Sequence, residues 1–301
     1  MTARMRFTTL LATGALALVL AGCGDDPEPV ADDTGSDETS EGTPSDEPTD
    51  PSSPPESSAP PAEMATVPVY FVGDTPQGAR LFREFRSVEA DNPLAEAAAL
   101  MTAGDAADGD YRTAYPGGSF DSVEYVDGSF VVSVPDDTWT KRAPGMSAAD
   151  AKLALQQLVY TLQGVQQERA PVVVQLRGQP TALFDVDTAD GADAAKQLDV
   201  LGLVNVTTPE EGQAVTGKFT AEGVASSFEA TVPWQIRQGD KVVKEGFSTA
   251  LGWVDKLYPW QTEVDATGLT PGEYTFVAMT DDPSGGEGGG PTEDTKTIIV
   301  Q

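Results

Sequence analysis

Residues 24–66 set the first limit on what this chain can fold into. They hold 13 acidic residues, no basic ones, nine prolines and seven serines, and Val30 and Met64 are their only larger aliphatic side chains. Such a stretch buries too little apolar surface to offset chain entropy, so it is expected to be a disordered tether. Folding is thereby confined to the chain on its C-terminal side. As a flexible coil the tether spans on the order of 35 Å, and charge repulsion and proline push it toward an extended limit of about 130 Å. Sugars on the proline-flanked hydroxyls of Thr43, Thr49, Ser52 and Ser53, or divalent cations on the acids, are sharper readings. A solvated spacer explains the composition without them.

Before the tether, Arg4 and Arg6 precede a run over residues 10–21 that is apolar apart from Thr13 and Gly14. That run is short for a permanent membrane helix and reads as a signal peptide over residues 1–22. It ends in Leu20-Ala21-Gly22-Cys23, which resembles the bacterial lipobox. The resemblance implies that the Cys23 thiol receives a diacylglycerol and becomes the mature N-terminus, a lipoprotein carrying two or three acyl chains such as palmitate. Several chains hold a protein on a bilayer where one is marginal. The expected location is the extracytoplasmic face of the cell membrane, lipid-anchored. The plainer alternative is a secretory peptide whose cleavage region happens to contain a cysteine.

Composition closes other doors. The chain has no histidine, so it has no Ser-His-Asp or Cys-His catalytic pair and no imidazole metal ligand. A single cysteine makes neither an internal disulfide nor a thiolate zinc site. A formal charge of −30 opposes binding to nucleic acid phosphates. Nothing calls for a cofactor or a metal.

Residues 67–190 read as an α+β domain. Residues 67–72 form a buried strand that Pro68 places at an edge, and residues 79–88 form a second. Asn92-Pro93 opens a helix with Leu94, Ala97, Ala98 and Met101 at helical spacing, and Gly104 stops it. Asp127-Gly128 joins a hairpin whose return strand alternates Phe130, Val132 and Val134. Ser147 and Asp150 cap a longer helix buried through Ala151, Ala154, Leu155, Leu158, Val159 and Leu162, with Gly164 as its expected end. Residues 171–176 make another strand, with Arg177-Gly178-Gln179 as a turn. This order, with Thr113-Ala-Tyr-Pro-Gly-Gly-Ser119 and Val172-Val-Val-Gln-Leu-Arg-Gly178, resembles the GerMN domain of spore-germination proteins and actinobacterial lipoproteins. The resemblance implies an extracytoplasmic envelope domain for binding or assembly near peptidoglycan, and it brings no catalytic residues.

Residues 200–301 show period-two alternation throughout. Ala230, Val232, Trp234 and Ile236 form one apolar face, and Trp260, Val264 and Ala266 another. Seven strands are expected, at 203–207, 215–221, 230–237, 241–249, 260–267, 274–279 and 297–300, which argues for an all-β immunoglobulin-like sandwich. Leu269-Thr-Pro-Gly-Glu-Tyr274 looks like a tyrosine corner. Thr208-Pro-Glu-Glu-Gly212, Phe228-Glu-Ala230 and the following Trp234 resemble the immunoglobulin-like domain of bacterial spore-germination proteins. The acidic, glycine-rich stretch 281–294 departs from that pattern and is expected to be a loop.

Four constellations bear on chemistry. Gly246-Phe-Ser-Thr-Ala250 has the outline of a nucleophile elbow, but it sits in a strand and no histidine exists to activate Ser248. Asp185, Asp187 and Asp190-Gly191 miss the spacing of a calcium loop and read as linker turns. Arg80, Arg83 and Arg86 suit carboxylates or phosphates of a wall polymer; a charged strand face paired with Glu84 and Glu89 is the preferred reading. Trp253, after Gly252, suits a sugar ring or a partner, with packing at the sandwich end preferred. The expectation is a non-enzymatic, lipid-anchored cell-envelope protein that binds peptidoglycan or an envelope protein partner. The alternatives are a regulatory lipoprotein contacting a membrane sensor protein and a carboxylate-dependent cell-wall hydrolase.

Overall fold

A computed structural model describes residues 63–301 except 283, 284 and 288. The signal peptide, Cys23 and all but the end of the tether lie outside the described residues. The described residues form one compact unit, whose first half runs β1 (Met64–Thr75), β2 (Gly78–Glu89), α1 (Pro93–Ala103), β3 (Ser122–Val126), β4 (Ser129–Val134), α2 (Ala148–Gln166), β5 (Val172–Leu176), β6 (Gln179–Pro180) and a short α3 (Gln197–Val200). β1 and β2 form an antiparallel hairpin in unbroken register from Thr75↔Gly78 to Met64↔Glu89. The strand therefore begins three residues inside the expected tether, because pairing with β2 satisfies backbone that would otherwise be solvated. β3, β4, β5 and β6 form a second sheet in that order. β4 and β5 are parallel, so α2 is the crossover between them.

The helix α2 starts where the sequence indicates. Ser147 Oγ accepts from the Asp150 amide at 3.1 Å, and Asp150 Oδ2 accepts from the Ser147 amide at 3.0 Å. Its end differs. The helix runs past Gly164 to Gln166, and Gln167 takes the left-handed conformation at φ 57°. Gly164 serves close approach: a Cβ there would stand 2.7 Å from Pro68 Cγ. Two buried polar side chains of α2 complete the open edge of β1. Thr161 Oγ1 accepts from the Tyr70 amide at 3.1 Å, and Gln157 donates to the Tyr70 carbonyl at 2.9 Å while accepting from the Ala114 amide at 3.0 Å. Pro68, two residues before Tyr70, has no amide to leave unpaired on that edge.

The second half contains β7 (Val204–Thr208), β8 (Gln213–Val215), β9 (Lys218–Ala225), β10 (Thr231–Gln238), β11 (Lys241–Thr249), β12 (Tyr258–Asp265), β13 (Gly272–Met279) and β14 (Glu293–Val300). They pack as a sandwich of a five-stranded sheet, ordered β11-β10-β13-β14-β8, against a three-stranded sheet, β12-β9-β7. The expected single strand over 215–221 is two strands, because Gly217 at φ 62° breaks it. β8 joins β14 in one sheet and β9 joins β12 in the other. Trp234, Trp260, Val264, Tyr274 and Phe276 are buried in the core. The Tyr274 hydroxyl donates to the Thr270 carbonyl at 3.0 Å, the tyrosine corner the sequence indicates.

Candidate functional site

Three features of the surface and interior stand out. The first joins the two halves. β2 runs beside β7: the Gly202 amide donates to the Leu81 carbonyl at 2.9 Å, and the Arg83 amide to Asn205 Oδ1 at 3.3 Å. Beneath this seam lies a buried ionic cluster. Lys296 of β14 ion-pairs with Asp108, donates to the Tyr111 hydroxyl at 2.9 Å, and stands 3.5 Å from Asp294. Asp294 also accepts from the Tyr111 hydroxyl at 2.5 Å, the Asn205 amide side chain at 3.0 Å and the Val206 backbone at 2.5 Å. Glu84 accepts from the backbone amides of Ala107 and Asp108 and so holds their loop beneath β2. Burial raises the Asp108 carboxyl despite the Lys296 charge. Burial, with the nearby Asp294 and Asp108 charges, pushes the Tyr111 phenol well up. A carboxylate pair sealed this far from solvent can hold two domains together but cannot reach a glycosidic bond.

The sequence reading missed this cluster. It assigned Asp294 to an acidic loop, whereas β14 extends back to Glu293. The available signal was the alternation itself: Asp294, Lys296, Ile298 and Val300 share one buried face.

The second feature is a recess of about 660 Å³ between the β1–β2 tip, the first turns of α2 and the segment leading to α3. Leu153, Ala79 and Val200 give it an apolar floor, with Arg80, Lys152 and Asp199 at its polar margin. Gln156 is already engaged, accepting from the Ala195 amide at 2.7 Å and donating to the Asp193 carbonyl at 3.0 Å. Lys152 has no ion pair among the described residues.

The third is the loop after β11. Leu251 is 81% exposed, Val254 64% and Trp253 40%, beside Phe228 at 41%. Trp253 packs edge-on against Phe228, ring centroids 5.2 Å apart. Trp253 is thus only partly packed at the sandwich end and keeps an exposed face.

The remaining candidates separate. Arg80 donates to the Leu198 carbonyl of α3 at 3.1 Å, and Arg83 donates across the seam to Thr207 Oγ1 of β7 at 3.3 Å. Arg86 pairs with Glu84, as expected, and with Asp105 in place of Glu89. The three do not form one patch. Ser248 is buried and donates to the Gln261 carbonyl at 2.8 Å. Asp185 pairs with Lys141 and Arg142, and Asp187 accepts from the Ala189 amide. Among the described residues no group of three His, Cys, Asp or Glu is placed to hold a metal ion. None of their helices is long and apolar enough to cross a membrane. Cys23 lies outside the described residues.

Comparison with known proteins gives two family matches. Residues 68–182 match the model described as sporulation and spore germination, and residues 203–287 match the immunoglobulin-like domain of bacterial spore germination. No curated protein matches the chain. Among solved structures, the chain is similar to the tandem GerMN domains of the sporulation protein GerM from Bacillus subtilis, at 13% identity over 68% of this chain and 63% of that one, with a TM-score of 0.35. The endo-β-1,4-mannanase from Thermotoga petrophila matches at 14% identity over 54% of this chain and 37% of that one, TM-score 0.26. WR4, a C. elegans MSP family member, matches at 16% identity over 33% of this chain and 99% of that one, TM-score 0.21. At these TM-scores none of the three bears on fold or activity. The family models bear on the domains: residues 68–182 match a sporulation and spore germination domain, and residues 203–287 match an immunoglobulin-like domain of bacterial spore germination.

Proposed function

We propose that the chain is a lipid-anchored protein of the extracytoplasmic membrane face, whose two germination-type domains act as one rigid module that binds peptidoglycan or an envelope protein. The observation that carries this reading is the succession of the lipobox-like Leu20-Ala21-Gly22-Cys23, an acidic segment and two adjacent germination-type matches in one chain. Binding suits the site better than catalysis. The shifted carboxyl of Asp108 is sealed in the seam, while the open recess offers an apolar floor and the Lys152 ammonium, which has no ion pair among the described residues. Such a lining fits the amides and carboxylates of a wall peptide.

The test is co-sedimentation of the mature protein with purified peptidoglycan, alongside crosslinking in intact cells. Retention on the wall that Lys152→Glu and Leu153→Asp weaken supports wall binding at the recess. Crosslinks confined to a membrane protein favour the regulatory reading, with that protein as partner. Retention by neither ends the proposal. Anchoring is tested separately: Cys23→Ala should abolish lipid labelling and release the protein from the membrane fraction.

A further inference from the structure

We propose that the loop carrying Leu251, Trp253 and Val254, together with Phe228, enters the interfacial layer of a phospholipid bilayer and holds the folded module against the membrane. The proposal rests on the lipid-anchored reading above and adds a second contact to it. Exposed apolar side chains are common singly, but here three lie within four residues of one loop and a fourth, Phe228, packs on Trp253. The backbone that presents them is constrained. Val254 sits at φ 93°, an outlier for a β-branched residue, and Glu229 and Ala230 beside Phe228 sit at φ 52° and 61°. Hydrogen bonds from the Leu251 amide to the Pro259 carbonyl (3.0 Å) and from the Val254 amide to Ser226 Oγ (3.3 Å) fix the loop at both ends. Gly252 lies against Tyr258, where a Cβ would stand 2.7 Å from Tyr258 Cε1. The loop is held with its apolar side chains outward.

The chemistry of that surface selects its partner. A sugar ring stacks on a flat, free aromatic face with polar groups around it. Here the Phe228 and Trp253 rings meet edge-on, and the loop's other exposed large side chains, Leu251 and Val254, are aliphatic. Leu251 and Val254 project from the surface, which a fluid acyl layer can receive without a matching pocket. Tryptophan at the boundary of such a layer keeps its indole N–H near water. The chain's own course agrees. The tether enters the fold at Met64, four residues before Pro68, which pairs with Phe85. Phe85 and Leu251 line the same groove, of about 530 Å³. About 14 Å of strand and that groove therefore separate the tether's entry from the loop. A spacer as long as residues 24–62, spanning on the order of 35 Å as the coil its composition leads one to expect, would let the loop meet a bilayer that holds an acylated Cys23. Asp255, Lys256 and Glu229 flank the loop with charges of both signs, so insertion should depend little on anionic lipid or salt.

Of the four tryptophans, Trp139, Trp234 and Trp260 are buried, so Trp253 is the one a bilayer can reach. The lipidated protein is reconstituted on phosphatidylcholine–phosphatidylglycerol vesicles with plain or brominated acyl chains, and tryptophan emission is compared. Insertion predicts a blue shift on plain lipid and a loss of emission on brominated lipid. Trp253→Phe should abolish the lipid-dependent loss. Leu251→Asp with Val254→Asp should abolish it while the anchor keeps the protein on the vesicles. Equal emission on both lipids from vesicle-bound protein overturns the insertion. Protein left in the supernatant overturns the anchor instead, and the same quenching comparison with excess vesicles then decides the loop by itself. Protection of Trp253 only when a membrane protein is added overturns the proposal in favour of a protein partner.

Discussion

Lys296 and Asp108 are each only 4% exposed at the side chain, and Asp294 1%. Burial alone would depress the Lys296 amine, but the Asp294 and Asp108 carboxylates outweigh it and hold the ammonium above the usual lysine range. Removing the cation leaves two buried carboxylates facing each other across the seam. Lys296→Met should therefore cost about 3–5 kcal/mol, read from urea unfolding at neutral pH. The pH dependence follows from the same group. A base held above its unfolded value contributes fully below about pH 10.4 and loses that contribution as pH climbs through its folded value. The buried phenols act in the same direction. Tyr111 is raised, and burial first, then its neighbours' charges, pushes Tyr160 up to about 12, so the unfolded chain ionises them earlier. Wild-type stability should fall above about pH 10, and the fall should be shallower in Lys296→Met. A variant with an unchanged midpoint at neutral pH and an unchanged alkaline slope would remove the cluster from the account of stability.

At the scale of elements, α2 carries two tests. Its capping box is exposed and local, so Ser147→Ala should cost about 1 kcal/mol without altering the rest of the fold. Gly164→Ala tests a reversal. In an open helix that exchange gains up to about 1 kcal/mol, but here the new methyl meets Pro68 at 2.7 Å. Overpacking of this kind costs about 1–3 kcal/mol, so the thermal midpoint should fall, and a rise would refute the close-approach role. Gly164 also shows where sequence reading stops. Glycine marks both helix ends and close contacts, and only the position of Pro68 on a distant strand distinguishes them. The capping box, the Asp127-Gly128 hairpin and the tyrosine corner were legible because each is written within a few residues. The division of residues 215–221 between two sheets was not, since Gly217 bends a run whose alternation continues on both sides. The ionic cluster was half legible. The alternation from Asp294 to Val300 marks an inward face, but Asp108 and Tyr111 reach it from more than 180 residues away.

At the scale of the molecule, the question is whether two family domains behave as one body. Domain interfaces within a chain are ordinarily polar and mobile. This one is polar, yet its polar groups are buried and paired. Asp294 gathers the Tyr111 hydroxyl from the first domain and the Asn205 side chain and Val206 amide from β7, and Phe82 stacks on Tyr111 at 5.2 Å behind them. Opening the seam would expose or orphan all of these donors together, so the halves should unfold in one cooperative transition despite separate apolar cores. Asp294→Ala removes the acceptor shared by the Tyr111 hydroxyl, the Asn205 side chain, the Val206 amide and Lys296, and leaves Asp108 as the carboxylate paired with Lys296. The expected result is two calorimetric transitions where the wild type shows one. Trp139, in the first core, and Trp234, in the second, make the split visible by fluorescence when the other tryptophans are replaced by phenylalanine. A wild type that already melts in two steps would mean the seam does not couple the domains. A single transition in Asp294→Ala at an unchanged midpoint would mean that the β2–β7 backbone contacts, and not the buried carboxylate, unite them.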